Sequence, residues 1–264
     1  MDTSCALMKA DASLQSEDAV LGGRLRLRQF RHGHRFGHDA ILLAAACPGR
    51  AGERAVDLGA GVGAAGLALA ARIAGLRVIL VELDPRLAAL ARENVELNGL
   101  GARVDVANLD VTAAARVFAA ADLAPESQMR VLMNPPFNDP VRQRASPDEG
   151  RRSAHVGPGG TLAAWVRTAA RLLRPSGTLT LIWRAQGLRE VLDALAPAFG
   201  GASVLPIHSK VEQPALRVIV RAGKGSREPL TLLPGLFLND AAGRPTAEAE
   251  AVLREGATLP LAQP

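Results

Sequence analysis

From residue 53 onward, apolar runs that read as strands alternate with segments of helical period, until two strands stand too close for another crossover. ERAVDL (53–58), LRVILVEL (76–83), ARVDVAN (102–108), MRVLMN (129–134) and TLTLIWR (178–184) are the short runs. Between and after them lie GVGAAGLALAARIAG (61–75), ALARENVEL, an Ala-rich stretch, TLAAWVRTAARLL (161–173) and LREVLDALAPAF, all with helical patterns. A helix returning after each strand makes neighbouring strands parallel and covers both faces of the sheet. SVLPIHS (203–209) and ALRVIVRA (215–222) then follow with only KVEQP between them. A parallel crossover needs about a dozen residues or more, so this pair must be an antiparallel hairpin. The chain is therefore α/β, with a mainly parallel, doubly wound sheet that ends in one antiparallel hairpin.

Its flanks are simpler. Residues 1–20 read as a loose, flexible leader. LGGRLRLRQF (21–30) turns at Gly-Gly and then alternates Leu with Arg, which predicts a half-buried strand. HDAILLAAAC (38–47) predicts a helix with Asp39 as its N-cap, and Asp84-Pro85 opens another that ends at Asn98-Gly99. Pro175-Ser176-Gly177 reads as a turn. One domain is expected over 21–222, with 223–264 as an extension packed on it: LTLLPGLFL is a candidate strand and PTAEAEAVLREG (245–256) a candidate helix. No apolar run approaches the roughly 20 residues that span a bilayer, and the first twenty lack a signal-peptide core. Cys5 and Cys47 make neither a disulfide framework nor a metal spacing, and His32, His34 and His38 have no Cys or acid cluster beside them. A cytoplasmic protein without a metal is expected.

VDLGAGVGAAG (56–66) carries Asp57 at a strand end, then Gly59, Gly61 and Gly63. Such glycines permit a tight turn and let backbone approach a ligand. Glu82 ends the next strand, 23 residues beyond Gly59, where a carboxylate can accept both hydroxyls of a ribose. Asp110, after the third strand, could accept from an adenine amino group or simply cap a surface turn. Both S-adenosyl-L-methionine (SAM) and NAD fit this constellation, which converges on the carboxyl edge of the sheet.

The fourth strand runs into VLMNPPFND (131–139). Pro135 and Pro136 cannot donate to a ladder, so pairing stops at Asn134. Asn-Pro-Pro-Phe in this position resembles the catalytic motif of amino-group methyltransferases. Together with GGRLRLRQ, RHGHRFGHDAILLAAA (31–46), VELDP, GTLAAWVRTAARLLRPSGTLTLIWR and RVIVRAGKGSR, it makes residues 21–250 similar to bacterial tRNA adenine-N6 methyltransferases acting on valine tRNA. The resemblance implies a Rossmann-like class I methyltransferase with a seven-stranded sheet, SAM as cofactor and a tRNA substrate. It implies cofactor contacts at Phe36, Gly37, Asp39, Asp57, Gly59, Gly61, Gly63, Glu82, Asp110 and Asn134, and a catalytic loop of Asn134, Pro135, Pro136 and Phe137. The chain departs from the family in having Gln128, Met129 and Arg130 where an acid often precedes the fourth strand.

That loop has a physical logic. An aromatic amine is a weak nucleophile because its lone pair is delocalised. Acceptors at Asn134 Oδ1 and the Pro135 carbonyl would take its two N–H groups and aim the lone pair, while Phe137 stacks the ring. Net charge is +5, with Lys9, Lys210 and Lys224 the only lysines among 31 cationic residues. Two basic groups are candidate RNA contacts: Arg24, Arg26, Arg28, Arg31 and Arg35, and then Arg142, Arg144, Arg151, Arg152 and His155. The rival readings are an rRNA guanine-N2 or adenine-N6 methyltransferase, a protein glutamine methyltransferase, a nicotinamide oxidoreductase, and a noncatalytic RNA-binding protein that keeps the fold. The glutamine enzymes usually carry Tyr after the prolines, and this chain has no Tyr.

Overall fold

The structure is a computed structural model that describes residues 15–32, 35–136 and 160–263. Seven strands form the body of the sheet: β3 (Arg54–Leu58), β4 (Arg77–Glu82), β5 (Val104–Asn108), β6 (Gln128–Met133), β7 (Leu173–Arg184), β8 (Phe199–His208) and β9 (Ala215–Lys224). Their order is β8-β9-β7-β6-β3-β4-β5. Pairing is parallel from β7 to β5, whereas β9 runs antiparallel to both β7 and β8. The five residues of KVEQP thus produce the expected hairpin. Two short strands of the C-terminal segment, β10 (Thr231–Leu232) and β11 (Leu236–Phe237), add to β8 and bring the sheet to nine. Chain direction across the sheet reverses between β3 and β6, which opens a crevice at their carboxyl ends.

Alternation along each strand divides the core in two. Ala55 on β3 and Ile182 on β7 face α1 (His38–Ala46), α2 (Ala64–Arg72) and α3 (Pro85–Leu97). Val56, Leu58, Leu179, Leu181 and Trp183 face the other layer, α4 (Ala115–Ala120), α5 (Gly160–Leu172) and α6 (Leu188–Leu195). Leu58, Leu67, Leu80 and Leu181 are wholly buried, each contributing about 1.5–3 kcal/mol. Helix α7 (Ala247–Leu253) places Val252 in the first layer, and Leu259 donates its N–H to the Ala45 carbonyl at 2.9 Å.

Several local expectations need correction. Residues 15–20 are not loose leader: β1 (Gln15–Val20) pairs antiparallel with β2 (Leu25–Phe30). The turn at Pro175–Gly177 lies inside β7, where the pairing with β6 shifts register. Gly37, not Asp39, is the N-cap of α1. Asp39 sits in the first turn, and its carboxylate accepts from Arg217 Nε on β9 at 3.0 Å.

Two asparagines, Asn94 on α3 and Asn98 at its C-cap, hold the β1–β2 hairpin. Asn94 Oδ1 accepts from the Arg28 N–H (2.7 Å), while its Nδ2 donates to the Arg28 carbonyl (3.0 Å) and the Val62 carbonyl (2.9 Å). One turn on, Asn98 pairs both ways with the backbone of Arg26, at 2.9 and 2.7 Å. Side-chain amides thus act as a substitute neighbouring strand for β2. Asn94 is fully buried, so Asn94→Ala strands its three backbone partners. Unfolding in urea should show a loss of about 2–4 kcal/mol for Asn94→Ala, and clearly less for the more exposed Asn98→Ala.

Candidate active site

The glycine turn is built from both sides. Gly59 and Ala60 donate to the Val81 carbonyl at 2.8 and 2.9 Å, so the turn leans onto β4 as it leaves β3. Glu82 Oε2 then accepts from the Gly61 N–H and Oε1 from the Asp84 N–H, both at 2.8 Å. The carboxylate is 8% exposed and still has lone pairs to offer. Asn108 Nδ2 donates to the carbonyls of Glu82 (2.8 Å) and Leu83 (2.9 Å), pinning the end of β4 to that of β5. Gly63 takes a left-handed conformation as the N-cap of α2.

Gly59 and Gly61 do different work. Both have positive φ, +71° and +58°. A Cβ on Gly61 would meet nothing within 4 Å, so the turn faces open space there. A Cβ on Gly59 would lie 2.3 Å from Trp165 Cη2, so an indole from α5 rests on its backbone. Leu58 is in register with Met133, so Gly59 and Asn134 leave adjacent parallel strands at the same level. Asn134 Oδ1 is buried and has no hydrogen-bond partner among the described residues. Pro135 is buried and Pro136 exposed. An unsatisfied carboxamide oxygen next to an open glycine turn and an acid with spare acceptor capacity suits a ligand bearing N–H and O–H groups.

The other candidates are placed as follows. Phe36 is half-buried against the first core layer, and its N–H donates to Gln29 Oε1 at 3.2 Å. Gly37 is exposed. Asp110 is exposed too, and its Oδ1 accepts from the N–H and hydroxyl of Thr112, both at 2.7 Å, so it caps its own turn. The first basic cluster is largely neutralised, because β1 lays two acids against it. Arg26 and Arg28 pair with Glu17, Arg28 also reaches Glu93, and Arg35 pairs with Asp18 at 3.1 Å. Arg31 is exposed, while Arg24 is tied to the carbonyls of Leu21 and Glu255. Phe137, Arg142, Arg144, Arg151, Arg152, His34 and His155 lie outside the described residues. Sequence reasoning missed Leu83, 62% exposed beside Glu82, and Trp165. An apolar residue directly after a strand-end acid was the available signal for Leu83; nothing local marked Trp165.

Asp57 faces α2, where its Oδ2 accepts from the Gly66 N–H at 2.8 Å. Burial pushes its carboxyl up to about 7, the Gly66 bond pulls the other way, and the Glu82 charge adds to the rise. The folded state therefore holds a proton that the unfolded chain, with an ordinary value of 3.8, has released. The resulting stability is complete below about pH 4 and is lost as pH rises through 7. Asn at this position keeps the acceptor without the charge. Thermal melts from pH 5 to 8 should show Asp57→Asn gaining on the wild type as pH rises; a gain by the wild type would contradict the proton-holding carboxyl.

Residues 34–211 match the family described as methyltransferase small domain. A tRNA1(Val) (adenine(37)-N6)-methyltransferase of Tolumonas auensis is 32% identical over 67% of this chain and 70% of its own length. One from Serratia proteamaculans is 28% identical over 79% and 80%. A solved structure from Agrobacterium tumefaciens, described as a predicted O-methyltransferase, superposes with a TM-score of 0.70 at 32% identity, covering 84% of this chain and 98% of that one. A Thermus thermophilus 16S rRNA N2 methyltransferase, solved with AdoMet and guanosine, shares the fold with a TM-score of 0.53 at 22% identity, covering 80% of this chain and 50% of that one. With the switch-point crevice, the glycine turn and the strand-end acid in place, the chain belongs to the methyltransferase small domain family and is a class I methyltransferase whose cofactor is S-adenosyl-L-methionine.

Proposed function

We propose that the protein methylates the exocyclic N6 amine of an adenine in tRNA. The observation that carries an amine acceptor is the buried, unpartnered Oδ1 of Asn134 at the carboxyl end of β6. Leaving such an atom unmatched costs about 1–3 kcal/mol, which a bound N–H recovers. The relatives named as tRNA1(Val) adenine-N6 methyltransferases support the substrate, an anticodon-loop adenine, and with it a cytoplasmic site of action.

When bound, SAM supplies the activated methyl group. The chain's own residues position everything else. Asn134 Oδ1 and the Pro135 carbonyl accept the two N–H groups, and Pro135 and Pro136 restrict φ so that these acceptors are preorganised. Phe137 stacks the flipped base. Glu82 receives the ribose hydroxyls on its free lone pairs, and Leu83 offers an apolar face to the adenine of the cofactor. Gly61 would admit the cofactor close to the backbone, while Gly59 and Gly63 make the turn possible by leaving room for Trp165 and for Leu80 and Leu67. Phe36, Gly37 and Asp39 close over it, Asp57 steadies α2 beneath, and Asp110 lines the adenine end. Glu17 and Asp18 neutralise much of the first cluster, so Arg24, Arg26, Arg28, Arg31 and Arg35 would serve at the margin of the RNA, with Arg142, Arg144, Arg151 and Arg152 as the other candidate phosphate contacts.

The description of the Agrobacterium structure raises an oxygen acceptor as a second reading. A hydroxyl must give up its proton as it is methylated, and a carboxamide has no useful basicity. An amine can lose its proton after transfer, so Asn134 favours nitrogen. Nucleoside mass spectrometry of tRNA and rRNA incubated with protein and SAM should find N6-methyladenosine in tRNA. Asn134→Ala should lower turnover by about 10²–10³-fold while SAM affinity stays within a few-fold. Wild-type turnover by that variant would sink the mechanism, and methylation confined to rRNA or to oxygen would sink the substrate.

A further inference from the structure

Trp165 stands out within its helix. Leu162, Val166 and Ala169 form the buried stripe of α5 and fill the second core layer. Trp165 is one step off that stripe, packed against the same layer and only half-buried. The six-membered ring reaches the glycine turn: an added Cβ on Gly59 would meet Cη2 at 2.3 Å, Cζ3 at 2.8 Å and Cζ2 at 3.5 Å. Gly59 follows Leu58 and Asn134 follows Met133, which are in register, so the two leave adjacent parallel strands at the same level; Asn134 Oδ1 is buried without a hydrogen-bond partner among the described residues. The indole therefore reaches the same strand-end edge that carries the glycine turn and, on the neighbouring strand, Asn134.

Methyl transfer consumes a cation and leaves a neutral molecule: the sulfonium of SAM becomes the thioether of S-adenosylhomocysteine. The acids described around the turn offer that cation little. In the proposed mode Glu82 is committed to the ribose hydroxyls, and Asp57 is turned toward Gly66. An indole face carries a negative quadrupole that attracts a cation within about 6 Å and is indifferent to a thioether's absence of charge. We propose that Trp165 is a specificity-determining residue that recognises the sulfonium through its indole, so that the site holds SAM in preference to the demethylated product. The proposal rests on placing transfer between Gly59 and Asn134; it does not depend on which nucleic acid is methylated.

Isothermal titration of SAM and S-adenosylhomocysteine against the intact protein tests it. The ratio of the two affinities is the readout, because a packing role alone would move both together. Trp165→Leu should weaken SAM about tenfold more than S-adenosylhomocysteine, and Trp165→Phe should retain most of the discrimination. Sinefungin, which carries an amine where SAM carries sulfur, should follow SAM. Should Trp165→Leu fail to fold, replacing tryptophan by fluorinated tryptophans in a Trp183→Phe background keeps the shape while draining the ring's negative face. The affinity ratio should then fall stepwise with fluorine number. Equal weakening of both ligands, or a ratio insensitive to fluorination, would overturn the proposal. A protein that shows the discrimination yet leaves tRNA unmethylated would overturn the tRNA reading and leave this one standing.

Discussion

One carboxylate, Glu82, organises the glycine-turn end of the crevice. Each of its oxygens is claimed by a backbone N–H from a different connection, Gly61 after β3 and Asp84 before α3. Two βα turns that belong to separate units are thereby fixed relative to each other. The same turn is held from behind by Asn94, which takes the Val62 carbonyl while binding the hairpin strand β2. Helix α3 therefore grips the glycine turn twice, through the residue before its N-terminus and through its third turn. A ligand arriving at such a turn meets donors and acceptors that already have their final positions, which is the sense in which electrostatic preorganisation lowers a barrier.

Arginine serves mainly as a tie between elements. Arg130 on β6 donates two hydrogen bonds to the Glu53 carboxylate, both at 2.9 Å, and Arg217 on β9 reaches Asp39 on α1. Arg72 caps the last carbonyls of α1, at Ala44 and Cys47, and Arg103 collects three carbonyls around the end of α2. The planar, multi-donor guanidinium suits this bridging better than lysine does. A basic composition is accordingly a poor guide to where a polyanion lies. The first arginine cluster shows this: its charge is met by acids from the facing strand.

What was legible in the chain was whatever repeats locally. Periodicity located every strand of the sheet body, because half-buried strands and two-sided ones leave different patterns, and the five-residue gap before Ala215 dictated the hairpin by chain reach alone. Gly59, Gly61 and Glu82 were legible because turn and strand-end chemistry are short-range. The contributions that escaped were long-range and side-chain specific. Asn94 and Asn98 look like ordinary helix-surface residues until β2 is laid across them. Glu17 and Asp18 sit in a segment with no apolar alternation, so neither β1 nor its pairing with the arginines announced itself. Asp39 has the composition of a cap but is claimed by Arg217 from across the sheet. Trp165 acquires a role only through its contact with Gly59, more than a hundred positions away.

The two-residue strands that border β8 have a consequence beyond the site. A ten-residue β8 would otherwise present a long flat ladder of open donors and acceptors, the surface on which another chain can template itself. β10 and β11 cover it in two pieces broken by Pro234 and Gly235, too short and too interrupted to propagate. At the far side β5 is five residues long, with Asp105 exposed and Asn108 folded back onto β4. The sheet thus ends on both margins in short, interrupted or charged strands, the devices that disfavour edge-to-edge pairing.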